Sequence, residues 1–303
     1  MAARIIDGTE IAARIRREIA DGIRLLSQEA AITPGLAVVL VGDNPASRSY
    51  VRNKNKAAHE IGIYSEQHSL AQSATEAELL ELVERLNKDP KIHGILVQLP
   101  LPSQISEQKV INAITPEKDV DGFHPVSLGR IMTGEPGFRP CTPFGIQKLL
   151  TYSGVSIGGS HVVVVGRSNI VGKPIANMLM QKGEDADATV TVCHSRTRDL
   201  PSITRQADIL IAAIGRPEFI TADMVRDGAV VIDVGINRID DPSHPKGQRM
   251  VGDVKFDEVS RKAGAITPVP GGVGPMTITM LLYNTLQSAR AEAERRRAKG
   301  ACQ

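Results

Sequence analysis

Short, apolar, β-branched runs alternate with amphipathic stretches along the whole chain, and this alternation constrains the fold more than any other feature. It is the pattern of an α/β fold with mainly parallel strands. The first half predicts a helix over 9–29, a strand at Leu36–Val41 and a helix from Pro45 to about Gly62. A helix at Thr75–Asn87 and a strand at Gly94–Leu99 follow. After Pro140 the pattern restarts, with strands expected at His161–Val165, Thr189–Cys193, Ile209–Ile214, Ala229–Val234 and Ala265–Thr267. This second block has the strand count and spacing of a Rossmann-type, dinucleotide-binding domain.

The length of 303 residues also suggests two domains, because single cores stop growing near ~250–300 residues. The boundary is expected near Gly134–Pro143, where Gly, Pro and small residues cluster. A first α/β domain then covers 1–140 and a second covers 141–274. The last helix, over 275–303, comes too late to belong simply to the second sheet. It is expected to pack on the first domain and complete it, leaving a substrate cleft between the two.

Composition excludes several classes. A net charge of +2 gives no electrostatic case for nucleic acid, and the basic run Arg295–Lys299 suits a solvated helix end. Cys141, Cys193 and Cys302 are widely separated, with no C-x-x-C pair and no His at metal spacing, which points to a reducing compartment and no metal site. The N-terminus lacks an apolar signal core, and Asp7, Glu10, Glu18 and Asp21 contradict a transit peptide. No run approaches the roughly 18 apolar residues of a membrane span. A cytoplasmic, bacterial protein is the expectation.

Residues 268–277 read Pro-Val-Pro-Gly-Gly-Val-Gly-Pro-Met-Thr. Such a Gly/Pro cluster forms a shaped loop whose backbone can approach a flat ligand closely. The apolar run Met276–Leu286 behind it has helical length, so the loop meets a helix N-terminus, where free amides attract anions.

A second glycine turn, Gly166-Arg167-Ser168-Asn169-Ile170-Val171-Gly172, follows four consecutive valines and precedes the helical stretch Ile175–Gln181. Its backbone amides could reach a pyrophosphate, although Ser168 stands where the second glycine of G-x-G-x-x-G belongs. The next strand ends Cys193-His194-Ser195-Arg196-Thr197, without the carboxylate that binds the ribose of NAD. A cationic rim of Arg196 and Arg167 suits the 2′-phosphate of NADP instead; the plain alternative is that both are solvated surface charges.

The segment Asn44–Lys54 begins a helix directly after a strand, with Asn44 as cap and Pro45 at the first helical position. Tyr50 and Lys54 share one face and point at the crevice where α/β proteins bind ligands, unless they are only part of an amphipathic surface. Gln98 is an amide near the end of an apolar strand that Pro100 stops, so its polar atoms need partners, either a ligand or a loop backbone. Asp121, before Gly122, could pair with a ligand carrying an amino group beside a ring nitrogen.

Taken together these blocks resemble the bifunctional methylenetetrahydrofolate dehydrogenase/methenyltetrahydrofolate cyclohydrolase family of one-carbon metabolism. The resemblance rests on the Ser47/Tyr50/Lys54 helix, Val97–Pro102, Asp119–Phe123, Pro140-Cys141-Thr142-Pro143, Gly166–Pro174, Asp233–Asn237 and Pro268–Thr277, in order from near residue 40 to residue 280. It implies NADP-linked oxidation of 5,10-methylenetetrahydrofolate to the methenyl cation. Hydrolysis in the same site then gives the 10-formyl product used in purine biosynthesis.

It also implies a catalytic set of Lys54, Tyr50, Gln98 and Asp121. Lys54 is the amine, Gln98 its hydrogen-bond partner, and Asp121 the anchor of the pterin edge. Ser47, Tyr50, Gln98, Pro100, Asp121, Gly271, Gly272 and Pro275 would bind the folate. Gly166, Arg167, Ser168, Ile170, Val171, Gly172, Ser195, Arg196, Ile236 and Thr277 would bind NADP. A homodimer formed through an edge strand of the nucleotide domain is implied as well.

The chemistry agrees with these roles. Hydride departure leaves an amidinium-like cation, so geometry does most of the work. In the hydrolysis a water must add and shed a proton. An ammonium beside a cationic substrate is disfavoured, which makes the neutral amine available. Two rival readings remain at this point: another two-domain NADP oxidoreductase such as a shikimate-type dehydrogenase, and a nucleotide-binding sensor without chemistry. Nothing resembles an ATP-dependent formate-activating domain, so no third activity is expected.

Overall fold

The computed structural model describes residues 2–243 and 247–300, with side chains to 298. Residues 240–249 are polar and contain prolines, which leads to the expectation of a surface loop; His244, Pro245 and Lys246 within them lie outside the described residues, as do Met1, Cys302 and the end of the expected 275–303 helix.

In chain order the elements begin with β1 (Arg4–Ile5), α1 (Gly8–Ala30), β2 (Gly35–Val41), α2 (Pro45–Glu60), β3 (Tyr64–Leu70), α3 (Glu76–Lys88) and β4 (Gly94–Val97). Next come α4 (Glu107–Ala113), α5 (Pro125–Thr133), α6 (Cys141–Tyr152), β5 (His161–Val165), α7 (Gly172–Leu179), β6 (Thr189–Cys193), α8 (Leu200–Thr204) and β7 (Ile209–Ala212). The chain continues with β8 (Val230–Asp233), β9 (Asn237–Asp240), β10 (Gln248–Val251), α9 (Phe256–Val259), β11 (Ala265–Ile266) and α10 (Val273–Gly300). It divides into two compact α/β units, one of Met1–Ala12, Ile131–Glu135 and Thr142–Thr277, the other of Ala13–Arg130, Pro136–Cys141 and Ile278–Gln303.

The second of these units carries a three-stranded parallel sheet in the order β3-β2-β4. Every residue of the central strand, Gly-Leu-Ala-Val-Val-Leu-Val, is buried, as a strand covered on both faces must be. Leu79, Leu82, Val83 and Leu86 of α3 pack with Ala37, Val39 and Ile95 of the sheet. A capping box starts that helix: Thr75 Oγ1 accepts from Glu78 N, and the Glu78 carboxylate accepts from Thr75 N. Strand β3, Tyr-Ser-Glu-Gln-His-Ser-Leu, escapes a hydropathy reading because this edge strand is polar on both faces.

The other unit carries a six-stranded, all-parallel sheet in the order β1-β11-β8-β7-β5-β6. The chain leaves β5 for β6 on one side and then returns to place β7 on the other. The order therefore reverses at β5, and the crevice at the carboxyl ends of β5 and β7 is where such sheets bind ligands.

Three expectations need correction. Residues 4–5 were assigned with the first domain, but β1 pairs with β11 in the six-stranded sheet. A two-residue, exposed strand carries no side-chain period to read. The Asp240–Arg249 stretch, expected as a surface loop, contributes to the antiparallel pair β9–β10, aligned from Asn237↔Val251 to Asp240↔Gln248. Helix α10 begins at Val273 rather than after Pro275, because a proline in the first turn loses no intrahelical bond.

Close backbone approach fixes one glycine in the six-stranded unit: a Cβ on Gly8 would lie 1.8 Å from Gly272 O. Gly8→Ala is therefore expected to destabilise the protein by about 1–3 kcal/mol through overpacking, measured as a shift of the denaturant midpoint against wild type.

Candidate active site

In the three-stranded unit, Asn44 ends the turn after β2 and caps α2, its Oδ1 accepting from Ala46 N at 3.0 Å and Ser47 N at 3.2 Å. This cap and Pro45 start the helix immediately beyond the carboxyl end of β2. Ser47 and Lys54 lie on its buried face and Tyr50 is exposed.

Lys54 is only 7% exposed. Its Nζ donates to Gln98 Oε1 at 3.0 Å, and Gln98 Nε2 in turn donates to Leu99 O at 2.7 Å. Gln98 follows β4, which stops at Val97, and its backbone N–H is fixed to Val39 O at 2.8 Å. The amide thus has one polar atom on the lysine and one on the backbone beside Pro100.

Asp121 completes the cluster. Burial raises its carboxyl, while the charge of Lys54 and the thiol of Cys141 act in the opposite sense. Burial also pushes the Cys141 thiol well up, with the Asp121 charge adding to the effect. Cys141 Sγ donates to Val120 O at 3.3 Å, and Asn284 Nδ2 of α10 donates to Val120 O at 2.8 Å and Arg139 O at 3.0 Å. Gly122 has φ of +76°, and a Cβ there would fall 2.6 Å from Pro140 N, so only glycine lets this turn close on residues 139–140.

Asp119 holds the turn from its other side. It accepts from Phe123 N (3.2 Å), His124 N (2.9 Å) and Ser127 Oγ (2.7 Å). The sequence reading gave no role to Asp119, Cys141 or Asn284. Asn284 does leave a signal, being an amide inside the apolar run of α10.

In the six-stranded unit, Gly166 and Gly172 make a cradle that a side chain would fill. A Cβ on Gly166 (φ +136°) would lie 2.1 Å from Ala213 O, and one on Gly172 would lie 2.1 Å from Gly166 O. Ser168, which stands at the second glycine position, ties the turn to the start of α7, its Oγ accepting from Val171 N at 3.1 Å and Gly172 N at 3.3 Å. Arg167 and Ile170 are exposed on this loop.

Ser195 and Arg196 are exposed in the turn after β6, the strand paired with β5 at Val165↔Cys193. No carboxylate stands between Cys193 and Thr197, so the residues present fit a phosphorylated ribose. Thr277 Oγ1 meets Thr142 Oγ1 at 2.9 Å. Gly271 has φ of +105°, and Gly272 packs against Pro268 O and Thr267. No cluster of His, Cys, Asp and Glu among the described residues could hold a metal ion.

The structure therefore brings Lys54, Gln98 and Asp121 together, with Ser47, Tyr50 and Pro100 on the same elements. It gathers Gly166–Gly172, Ser195 and Arg196 at the carboxyl ends of β5 and β6.

Known protein families match both halves of the chain. The chain matches the family model described as "Tetrahydrofolate dehydrogenase/cyclohydrolase, catalytic domain" over residues 6–121. It matches the corresponding "NAD(P)-binding domain" over residues 140–293. It is 63% identical over 291 residues to the "Bifunctional protein FolD" of Dehalococcoides mccartyi (strain CBDB1), covering 96% of this chain and 98% of that one. The bifunctional methylenetetrahydrofolate dehydrogenase/cyclohydrolase structure from Campylobacter jejuni is similar at 48% identity and a TM-score of 0.90, over 96% of this chain and 100% of that one. The Trypanosoma brucei enzyme complexed with NADP and an inhibitor is similar at 40% identity and a TM-score of 0.90, over 96% and 99%.

Titration of Asp119 offers a test of the turn. Burial, the largest effect, raises its carboxyl from 3.8 to about 6. A carboxyl that holds its proton more tightly in the folded state favours folding below its unfolded value. That contribution is lost as pH rises through the folded value. Between pH ~4.5 and ~7 wild type is therefore expected to lose more stability than Asp119→Asn, by about 2 kcal/mol. Urea unfolding of both proteins at the two pH values measures the difference.

Proposed function

Because the chain belongs to the tetrahydrofolate dehydrogenase/cyclohydrolase family, we propose that Lys54, Gln98 and Asp121 carry its two reactions, with Tyr50 beside the folate. The protein is an NADP-dependent methylenetetrahydrofolate dehydrogenase and methenyltetrahydrofolate cyclohydrolase. The observation that carries the assignment of residues is the Lys54 Nζ–Gln98 Oε1 hydrogen bond of 3.0 Å, made by an amine that is almost wholly buried.

Asp121 anchors the pterin, accepting in parallel from its amino group and ring N–H, a pairing that strengthens when the carboxyl is ionised. Ser47 and Pro100 border the folate on α2 and beside Gln98. Gly271, Gly272 and Pro275 shape a backbone wall.

For the nucleotide, Gly166 and Gly172 let the backbone approach the pyrophosphate, and Arg167, Ser195 and Arg196 meet the 2′-phosphate. Ser168, Ile170, Val171, Ile236 and Thr277 complete its contacts. Bound NADP supplies the hydride acceptor. In the hydrolytic half, Lys54 takes the proton from the water that adds to the methenyl carbon, and Gln98 holds the amine in line for that transfer.

The shikimate-type and sensor readings fall away, since the family match extends over both units and the expected catalytic set is complete. Within the same reading the enzyme works as a cytoplasmic homodimer whose formyl product serves purine biosynthesis. In support, edge strand β6 exposes Val192 for pairing, and no helix among the described residues is long and apolar enough to cross a membrane.

Two outcomes test the assignment. Lys54→Met is expected to lower cyclohydrolase turnover by ~100- to 10,000-fold while folate binding persists; full turnover would remove Lys54 from the mechanism. Arg196→Ala combined with Arg167→Ala is expected to raise the KM for NADP by about tenfold or more and leave that for NAD little changed, because paired bonds to phosphate are lost. Equal effects on both nucleotides would place the 2′-phosphate elsewhere.

A further inference from the structure

Two aspartates of the six-stranded unit are buried and take no part in the chemistry above. Asp253, which follows β10, is 0% exposed, and Asp233, at the end of β8, is 3% exposed. The Asp253 carboxylate is saturated. Its Oδ2 accepts from Ile214 N (2.6 Å) and Gly215 N (2.8 Å), and its Oδ1 from Arg216 N (2.9 Å) and Asn237 Nδ2 (2.9 Å). Asp233 binds Asp253 in turn, accepting from its N–H at 2.8 Å, from Gly235 N at 2.9 Å and from Val254 N at 3.0 Å. Glycines make the room: a Cβ on Gly252 would lie 1.7 Å from Asp233 Oδ2, and one on Gly235 would lie 2.3 Å from Asp253 Oδ1.

The segments so held stand at the ligand-binding edge of the sheet. Ile214–Arg216 follows β7, and Gly166–Gly172 follows β5, the two strands between which the order reverses. The two loops are in contact, since Gly166 packs directly on Ala213 O. Ile236, an apolar side chain left 46% exposed, lies between Gly235, pinned by Asp233, and Asn237, pinned by Asp253. Three consecutive loop amides that have no ladder partner are thus tied to one side chain, which orders the loop before a ligand arrives and removes that cost from binding.

We propose that Asp253 is a positioning residue for the nicotinamide nucleotide, its carboxylate setting the Ile214–Arg216 and Gly235–Asn237 loops as one wall of the cofactor crevice. It rests on the reading of the Gly166–Gly172 crevice as the NADP site. Its consequence is selective: the dehydrogenase step depends on Asp253, whereas hydrolysis, which uses only water, does not.

Steady-state kinetics of both half-reactions test this with Asp253→Asn and Asn237→Ala. Asparagine keeps the shape but turns an N–H donor toward amides that need an acceptor. Asp253→Asn is expected to raise the KM for NADP by about tenfold or more, with the folate KM and the hydrolysis rate within about twofold of wild type. Asn237→Ala, which removes one of the four bonds, moves the KM for NADP in the same direction by roughly two- to threefold. An unchanged KM for NADP in Asp253→Asn overturns the proposal. If that variant loses both activities together, Asn237→Ala decides: a raised KM for NADP with intact hydrolysis supports the role, and no change overturns it. A wild-type protein that oxidised the folate without NADP binding at this crevice would instead defeat the cofactor reading itself.

Discussion

A lysine amine removed from water has to be held by polar partners, and the bond from Lys54 Nζ to Gln98 Oε1 meets that requirement. Much of the three-stranded unit serves this contact. The central strand β2 sets the start of α2 through the Asn44 cap, which carries Lys54 inward at the third turn. The neighbouring strand β4 ends at Val97, so the next residue presents its amide to the lysine. The Asp119–Gly122 turn adds a carboxylate on which the lysine charge acts.

The two units fix their loops by one physical device. In each, a buried aspartate spends its lone pairs on loop donors, and a nearby glycine lets a second backbone close in. Asp119 collects Phe123, His124 and Ser127 beside Gly122; Asp253 collects Ile214, Gly215, Arg216 and Asn237 beside Gly235. A carboxylate satisfied in this way ties successive loop donors to one side chain, and in the case of Asp253 it joins two separate segments.

The sequence made legible the elements whose side chains have a period or an unbroken apolar run. The strands at 161–165 and 189–193 fall where expected, the first as an unbroken buried apolar run and the second, at the sheet edge, as a β-branched run. Gln98 stood out as an amide near a strand end, Lys54 on the helix behind a strand, and Asp121 as a carboxylate before a glycine turn. Strand β3 was hidden by its polarity, β1 by its brevity, and the β9–β10 pair by its polar composition. The supporting residues stayed dark for another reason. Asp253 and Asn284 act through backbone groups far away in sequence, 39 positions for Asp253 and Ile214 and 164 for Asn284 and Val120, and no local pattern encodes such a partner.

The central claim is that one buried amine serves both steps of the folate interconversion. A crystal structure of the protein with NADP and a non-reactive folate analogue tests it most directly. The expected result places the analogue's one-carbon bridge beside Lys54 Nζ, with the pterin edge on Asp121. An analogue bound away from residue 54 would contradict the account.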